Sequence, residues 1–471
     1  MYIYNMEKNM KNYQFPENFK WGSAVWATGV EGAADKDGKA ETVWDKYYRQ
    51  SPERFYLFQG PDKTLNWYED YDQYAQLAAD LHHNSFRTSI LWARLMPDGE
   101  HVNEKAVEFY KNEFRAFRSR GMELSVVLYW FDMPALFEDK GGFTNRDVIE
   151  PFVKYCKTCF ELFQDDVDIW YIYNEPIVDC MNKYLNDSCY PNKVDWKAFN
   201  QAVYNMTIAH ARVVGEYKKT GCKAKIGSVI NHGHIYPRSN NEADLKAAHE
   251  DKILTQNCFE DPFLNGKTNE EWLKLVNETG ADIQTNAEDQ KLLSENTIHF
   301  CGLNYYAPER VMCPPYVINP QAPVTFDNFA YPYVMPGRRM NYDRGWEIYP
   351  KALYDSLMDL SHEYDYPEIR ITENGIGIQN EDRYRNEDGM IEDDYRIDYV
   401  KEHLEWAWQA IQDGVKLTGY NMWSFVDLWS PSNQFKNCYG FYEYNLKDGS
   451  VKAKKSAAWF RKITDQNGFE D

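Results

Sequence analysis

Residues 124–131, LSVVLYWF, and residues 167–173, VDIWYIY, are apolar runs of strand length rich in β-branched and aromatic side chains. Between them, residues 145–163 (NRDVIEPFVKYCKTCFELF) carry the spacing of an amphipathic helix. The same alternation extends both ways. Ser85–Trp92 precedes as a strand, followed by a helix over Asn103–Arg120. After Val167–Tyr173 come a helix over Trp196–Thr220, strands at Ala224–Ile230 and Ile298–Tyr306, and a helix over Tyr349–Tyr364. A strand at Ile369–Thr372, a helix over Arg396–Asp413 and a strand at Leu417–Phe425 follow. Lys20–Val25 supplies a first strand and Ala453–Thr464 a last helix. Continuous apolar strands separated by helices belong to a parallel sheet covered on its outer face. About eight such units predict an α/β fold, a closed (β/α)8 TIM barrel. No Gly-, Ser- or Pro-rich linker divides the chain, so residues 1–471 are expected to form one domain. The stretch Pro308–Pro336 is too long for a tight connection and is expected to build the active-site face as an extended βα loop.

Two segments place a glutamate at the carboxyl end of a predicted strand. They are Tyr173-Asn174-Glu175-Pro176, after the fourth strand, and Ile371-Thr372-Glu373-Asn374-Gly375, after the seventh. Those strands face each other across a barrel mouth, where barrel enzymes keep their chemistry. Cleaving a glycosidic bond needs one protonated carboxyl for the leaving oxygen and one ionised carboxyl for the cationic anomeric carbon. At about 5–5.5 Å separation the second can attack, and configuration is retained. One strand-end glutamate alone would be read as a helix N-terminal partner. Two, facing each other, point to glycoside cleavage.

The bulk properties narrow the partners. The chain has 471 residues and a net charge of −21, which argues against nucleic acid or an anionic membrane surface. It does not exclude a phosphorylated small molecule held in a local basic pocket. Aromatic residues make up 16%, and some of them can serve as platforms for sugar CH faces while most fill the core. The polar segment Met1–Asn12 has no apolar leader, and no run reaches membrane-spanning length. Nine scattered cysteines fit reduced thiols in the cytoplasm, and Cys156-x-x-Cys159 lies inside a helical pattern without a second pair at zinc spacing. His232 and His234 flank Gly233 at a strand end, where a polar pair is favoured over a metal site. No cofactor and no metal are expected. The oligomeric state is not legible.

Nearly the whole chain resembles family 1 glycoside hydrolases. FPENFKWGSA opens it, and FRTSILWARLMP, VNEKAVEFY, LYWFDMP and FELFQDDVDIWYIYNEP follow in the family's order. GLNYY, GWEIYP, ITENGIG, DDYRIDYVKEHL and GYNMWSFVDLWS complete the series. The resemblance implies Glu175 as general acid and then base, and Glu373 as nucleophile. It implies that Asn174 bonds the sugar 2-hydroxyl, that Arg87 pairs with the nucleophile and that Tyr306 donates to it, with Asn304 in support. Trp423 would floor the glycone pocket, and Trp346 would stack on the aglycone. From these roles Glu373 is expected to titrate low beside Arg87, and Glu175 high.

Three departures bear on the substrate. Gly29 stands where the family carries a glutamine before the Val30-Glu31-Gly32 triplet, and Trp130 stands where it carries a histidine. Two glycone partners are therefore missing, and Trp130 is bulkier than the residue it replaces. Ser430-Pro431 stands where members acting on plain glucosides have Glu-Trp. A serine there resembles the 6-phospho-β-glycosidase branch, which adds a lysine and a tyrosine downstream. Tyr439 matches the tyrosine, Asn437 occupies the usual lysine position, and Lys436 is adjacent. Ser430, Lys436 and Tyr439 are thus candidates to cradle a phosphate. The favoured reading is a 6-phospho-β-glucosidase. The alternatives are the same chemistry on unphosphorylated or unusual glycosides, or a carbohydrate-binding protein that has lost turnover.

Overall fold

The computed structural model describes residues 11–317, 319 and 321–470. Eight parallel strands close into a barrel: β1 (Lys20–Ala24), β2 (Ser85–Ser89), β3 (Glu123–Tyr129), β4 (Ile169–Asn174), β5 (Lys225–Ile230), β6 (Phe300–Asn304), β7 (Glu368–Asn374) and β8 (Leu417–Trp423). Each strand pairs with its chain neighbours, and β8 pairs with β1 to close the ring. This is the TIM barrel that the alternating pattern predicts. Glu175 directly follows β4, and Glu373 is the penultimate residue of β7.

The longer helices among the described residues include α1 (Trp67–Asp80), α2 (Glu104–Arg118), α3 (Ile149–Phe163), α4 (Trp196–Thr220), α5 (Glu242–Lys252), α6 (Lys351–Glu363), α7 (Asp394–Gln412) and α8 (Lys455–Gln466). Helix α4 spans its predicted residues one for one. The Asp195 side chain accepts the Ala198 amide at its start, and Gly221 ends it at φ 68°, a left-handed conformation that glycine adopts without a Cβ penalty. Other boundaries shift by one to four residues. The predicted strand Ser85–Trp92 stops at Ser89, and Trp92 opens a short helix, Trp92–Leu95. The β5–β6 connection, unassigned from the sequence, holds α5 and the helices Glu270–Glu278 and Asp289–Glu295.

Strands β2 and β4 are buried along their full length, as expected for a sheet covered on one side by helices and filled inside by side chains. Phe86, Val126, Trp170 and Tyr173 belong to one contiguous apolar core. The long β6–α6 segment is not featureless. Glu309–Met312 pairs with Tyr331–Pro332 on one side and Ile235–Pro237 on the other, forming a small three-stranded sheet over the barrel mouth. Among the described residues no helix is long and apolar enough to cross a membrane. The leader reading concerned Met1–Asn12, of which residues 1–10 lie outside the described residues.

Candidate active site

The chain turns sharply where β4 ends. Glu175 adopts φ 44°, and Pro176 then starts the helix Pro176–Tyr184 at a position that needs no amide proton. A non-glycine residue in the left-handed region costs about 1–3 kcal/mol, and such strain concentrates at functional sites. The turn aims the Glu175 carboxyl along the barrel mouth instead of into solvent. Its amide donates to the Val229 carbonyl (2.9 Å), and the Asn231 amide group donates to its Oε1 (2.9 Å).

Across the mouth, Glu373 is held at both oxygens. Arg87 Nη1 donates to Oε1 at 2.7 Å, and the Tyr306 hydroxyl donates to Oε2 at 2.6 Å. The other guanidinium nitrogen, Arg87 Nη2, donates to Asn174 Oδ1 at 2.6 Å. Asn304 Nδ2 also donates to Asn174 Oδ1 (3.2 Å), while Thr372 Oγ1 donates to Asn304 Oδ1 (2.7 Å). Side chains from β2, β4, β6 and β7 are thereby joined in one buried network. Asn174 in turn lies 3.4 Å from Glu175 Oε2, which links the two carboxyls.

The electrostatics separate the pair, although not as the sequence suggests. Glu175 is pushed up to about 8 by burial and by the negative charge of Glu373. Glu373 was expected to titrate low beside Arg87. Instead it is raised above the ordinary glutamate value, because burial outweighs the opposing pull of Arg87 and Tyr306. A positive neighbour lowers a carboxyl only when desolvation is the smaller effect.

The aromatic residues line this network. Trp346 lies 5.2 Å from the Tyr306 ring, and Trp423 lies 5.6 Å from Trp130. Trp130 carries the Arg87 guanidinium 4.0 Å above its ring and also packs on Trp26. The bulk introduced in place of histidine therefore supports the arginine that holds Glu373. Gly29 explains the missing glutamine sterically. A Cβ there would lie 2.4 Å from the Trp429 carbonyl oxygen and 3.1 Å from Leu428. No side chain fits at position 29 in this packing.

Residues 11–469 match the family described as glycosyl hydrolase family 1. The chain belongs to glycosyl hydrolase family 1. Family 1 members are retaining β-glycoside hydrolases, and this chain is one. It is 42% identical to the 6-phospho-beta-glucosidase GmuD of Bacillus subtilis (strain 168), over 98% of this chain and 99% of that protein. It is 32% identical to beta-glucosidase A of Acetivibrio thermocellus, over 98% of this chain and 100% of that one. The family 1 β-glucosidase from Thermotoga maritima superposes with a TM-score of 0.89 at 30% identity, covering 98% of this chain and 100% of that chain.

The eighth-strand departures are distributed differently from their sequence spacing. Tyr439 is buried, 6.4 Å from the Tyr306 ring, and accepts a hydrogen bond from Arg344 Nε at 3.2 Å. Lys436 is exposed, and its ammonium lies 5.7 Å from the ring of Tyr56. Asn437, at the family's lysine position, donates to the Asp343 carbonyl at 3.1 Å. Ser430 exchanges backbone hydrogen bonds with Gln434 in a tight loop (3.2 and 2.7 Å). A buried network anchors the strand end behind Tyr439. Arg396 donates to the carbonyls of Ile376 (2.7 Å) and Tyr439 (2.9 Å), and Lys454 sits between Asp427 and Glu381.

Three contributors escape the sequence reading. Asn231 follows β5 as Glu175 follows β4, so the strand-end rule could have found it. Thr372 lies inside the Ile371–Gly375 segment, beside Glu373. Arg344 sits in a loop without periodicity and carries no such signal. The two histidines do not converge. His232 pairs with Glu260 at 3.0 Å, and His234 with Asp359 at 2.5 Å. Cys156 and Cys159 are buried in α3, and burial pushes both thiols up, away from reactive thiolate character.

Proposed function

We propose that this β-glycoside hydrolase acts on 6-phospho-β-glucosides by double displacement, with Glu175 as acid and base and Glu373 as nucleophile. The observation that carries the catalytic assignment is the clamp on Glu373. Both of its oxygens accept donors, from Arg87 at 2.7 Å and from Tyr306 at 2.6 Å, so the carboxylate is oriented without being neutralised. Glu175 keeps its proton to about pH 8 and can give it to the leaving oxygen. Attack by Glu373 forms a glycosyl ester and removes its negative charge. That charge is one of the two causes that raise Glu175, so its pKa falls once the ester forms, and Glu175, having given its proton to the leaving oxygen, stays ionised and can accept one from the incoming water. Asn174, held by Arg87 and Asn304, is positioned to donate to the sugar 2-hydroxyl.

The phosphate reading is supported by Ser430 in place of a carboxylate, by the buried hydroxyl of Tyr439 and by the 42% identity to a 6-phospho-beta-glucosidase. A glutamate at position 430 would repel a phosphate dianion, whereas a serine hydroxyl can donate to it. Lys436, exposed at the rim, adds attractive charge on the approach. Trp346 would flank the aglycone and Trp423 the glycone. Phosphorylated disaccharides arise inside cells, so a cytoplasmic location accompanies this reading.

A second reading, cleavage of unphosphorylated β-glucosides, is favoured by Asn437 at the lysine position and by the likeness to β-glucosidases. Initial rates on 4-nitrophenyl β-glucoside with and without a 6-phosphate decide between the two. The phosphate reading requires the higher kcat/KM on the phosphorylated substrate, and the reverse order overturns it.

A further inference from the structure

The geometry points to Arg344 as the cation that binds the 6-phosphate, the task that the family resemblance gives to Lys436. This rests on the phosphate reading and names the residue that carries its charge. Arg344 lies in the β6–α6 loop, two residues before Trp346. Its guanidinium carbon is 4.1 Å from the Trp346 ring, and its Nε donates to the Tyr439 hydroxyl at 3.2 Å. The plane is therefore fixed by an aromatic face on one side and a buried tyrosine at its root. Nε is engaged, so the two terminal nitrogens remain to face a ligand as a fork, the arrangement that binds a phosphate at two oxygens.

The charge on Arg344 is also uncommitted. Its acidic neighbour Asp343 is taken by Arg383, and the half-exposed Arg54 in the same cavity is taken by Asp187 at 2.8 Å and Tyr47 at 3.0 Å. Among the described residues no carboxylate pairs with Arg344. The cavity it lines is about 650 Å³ and also includes Tyr56, Asn433, Lys436 and Asn437. Because Tyr439 accepts from Arg344, its own hydroxyl proton is free to point at the same ligand.

The position relative to the chemistry fits a 6-substituent. Glu373 bonds Tyr306, Tyr306 packs 6.4 Å from Tyr439, and Tyr439 bonds Arg344. The arginine is thus separated from the nucleophile by two aromatic side chains. A substituent that projects from the sugar ring away from Glu373, past Tyr306 and Tyr439, would reach this guanidinium. Lys436 has no comparable seat, since it is exposed and held over Tyr56. Arginine in place of lysine also explains how Asn437 can turn away to the Asp343 carbonyl without emptying the site of charge.

The test compares wild type, Arg344→Gln, Arg344→Lys and Lys436→Gln on 4-nitrophenyl β-glucoside and its 6-phosphate. Arg344→Gln is expected to lower kcat/KM on the phosphorylated substrate roughly 10–100-fold, mostly through KM, and by a clearly smaller factor on the plain glucoside, where only its packing on Trp346 is lost. Arg344→Lys should recover part of the loss, and Lys436→Gln should cost only a few-fold. Glucose 6-phosphate should inhibit the wild type more strongly than Arg344→Gln. An equal loss on both substrates would assign Arg344 to folding or to the aglycone, and a larger loss in Lys436→Gln would return the role to the lysine. Either result overturns the inference while the phosphate reading stands. A wild type that prefers the plain glucoside overturns both.

Discussion

The Tyr306 hydroxyl donates to Glu373 Oε2 at 2.6 Å, on the oxygen that Arg87 leaves free. The nucleophile is thus fixed in rotation by two donors, one on β2 and one just past the end of β6. Removing one donor frees the carboxylate to turn and leaves a buried charge less satisfied. Tyr306→Phe should lower kcat roughly 10²-fold with a smaller effect on KM, as preorganisation in the transition state predicts. Steady-state kinetics on an activated aryl glycoside would show it, and an unchanged kcat would remove Tyr306 from the site.

Rate against pH should be bell-shaped. Its basic limb falls near pH 8, where Glu175 loses the proton it must donate. Its acid limb belongs to Glu373 and lies above the ordinary glutamate value. Glu175→Gln should cost roughly 10²–10⁴-fold on substrates with poor leaving groups and abolish the basic limb. A basic limb that survives the substitution would assign the proton to another group.

Arg87 opposes the burial that raises Glu373. Arg87→Gln removes that pull, so the acid limb should move to higher pH and the active window should narrow. The sign is the informative part, because a purely structural loss would lower the rate without moving the limb. A pH profile of the folded variant decides it.

Much of this was legible at the strand ends. Glu175 and Glu373 sit where an apolar run stops, and the barrel's geometry makes that place functional whatever the loops do. The raised Glu373 was not legible, because the resemblance pairs it with Arg87 but does not weigh desolvation against that charge. Nor was the seat of Arg87 on Trp130, which joins β2 to the end of β3 through side chains. Arg344 and Tyr439 are 95 residues apart in loops without periodicity. In the β5–β6 connection, π-helical turns at Ile253–Asn257 and Asp261–Asn265 break the helical spacing that a pattern reading needs.

Stability should follow pH through Glu175. Its proton is retained in the folded protein to about pH 8 but released near the ordinary value of about 4.3 in the unfolded chain. The contribution is fully present below the unfolded value and is lost as pH rises through the folded one. Glu175→Gln escapes that loss. Melting temperatures of variant and wild type should agree near pH 4, and the variant should melt higher by roughly a few degrees near pH 8.

Restoring the family's side chain at position 29 should fail. Gly29→Gln places a Cβ 2.4 Å from the Trp429 carbonyl, so the loop must shift. Overpacking of this kind costs about 1–3 kcal/mol or more, and thermal unfolding should show it. A variant as stable as wild type would mean that the Trp26–Trp429 packing gives way readily.

The most direct test of the two-carboxylate account is covalent trapping. A 2-deoxy-2-fluoro-β-glucoside 6-phosphate with a good leaving group slows breakdown of the glycosyl ester more than its formation. Peptide mass spectrometry after incubation should find one sugar adduct, on Glu373. Adduct on another residue, or turnover with inverted product and no adduct at all, would contradict the account.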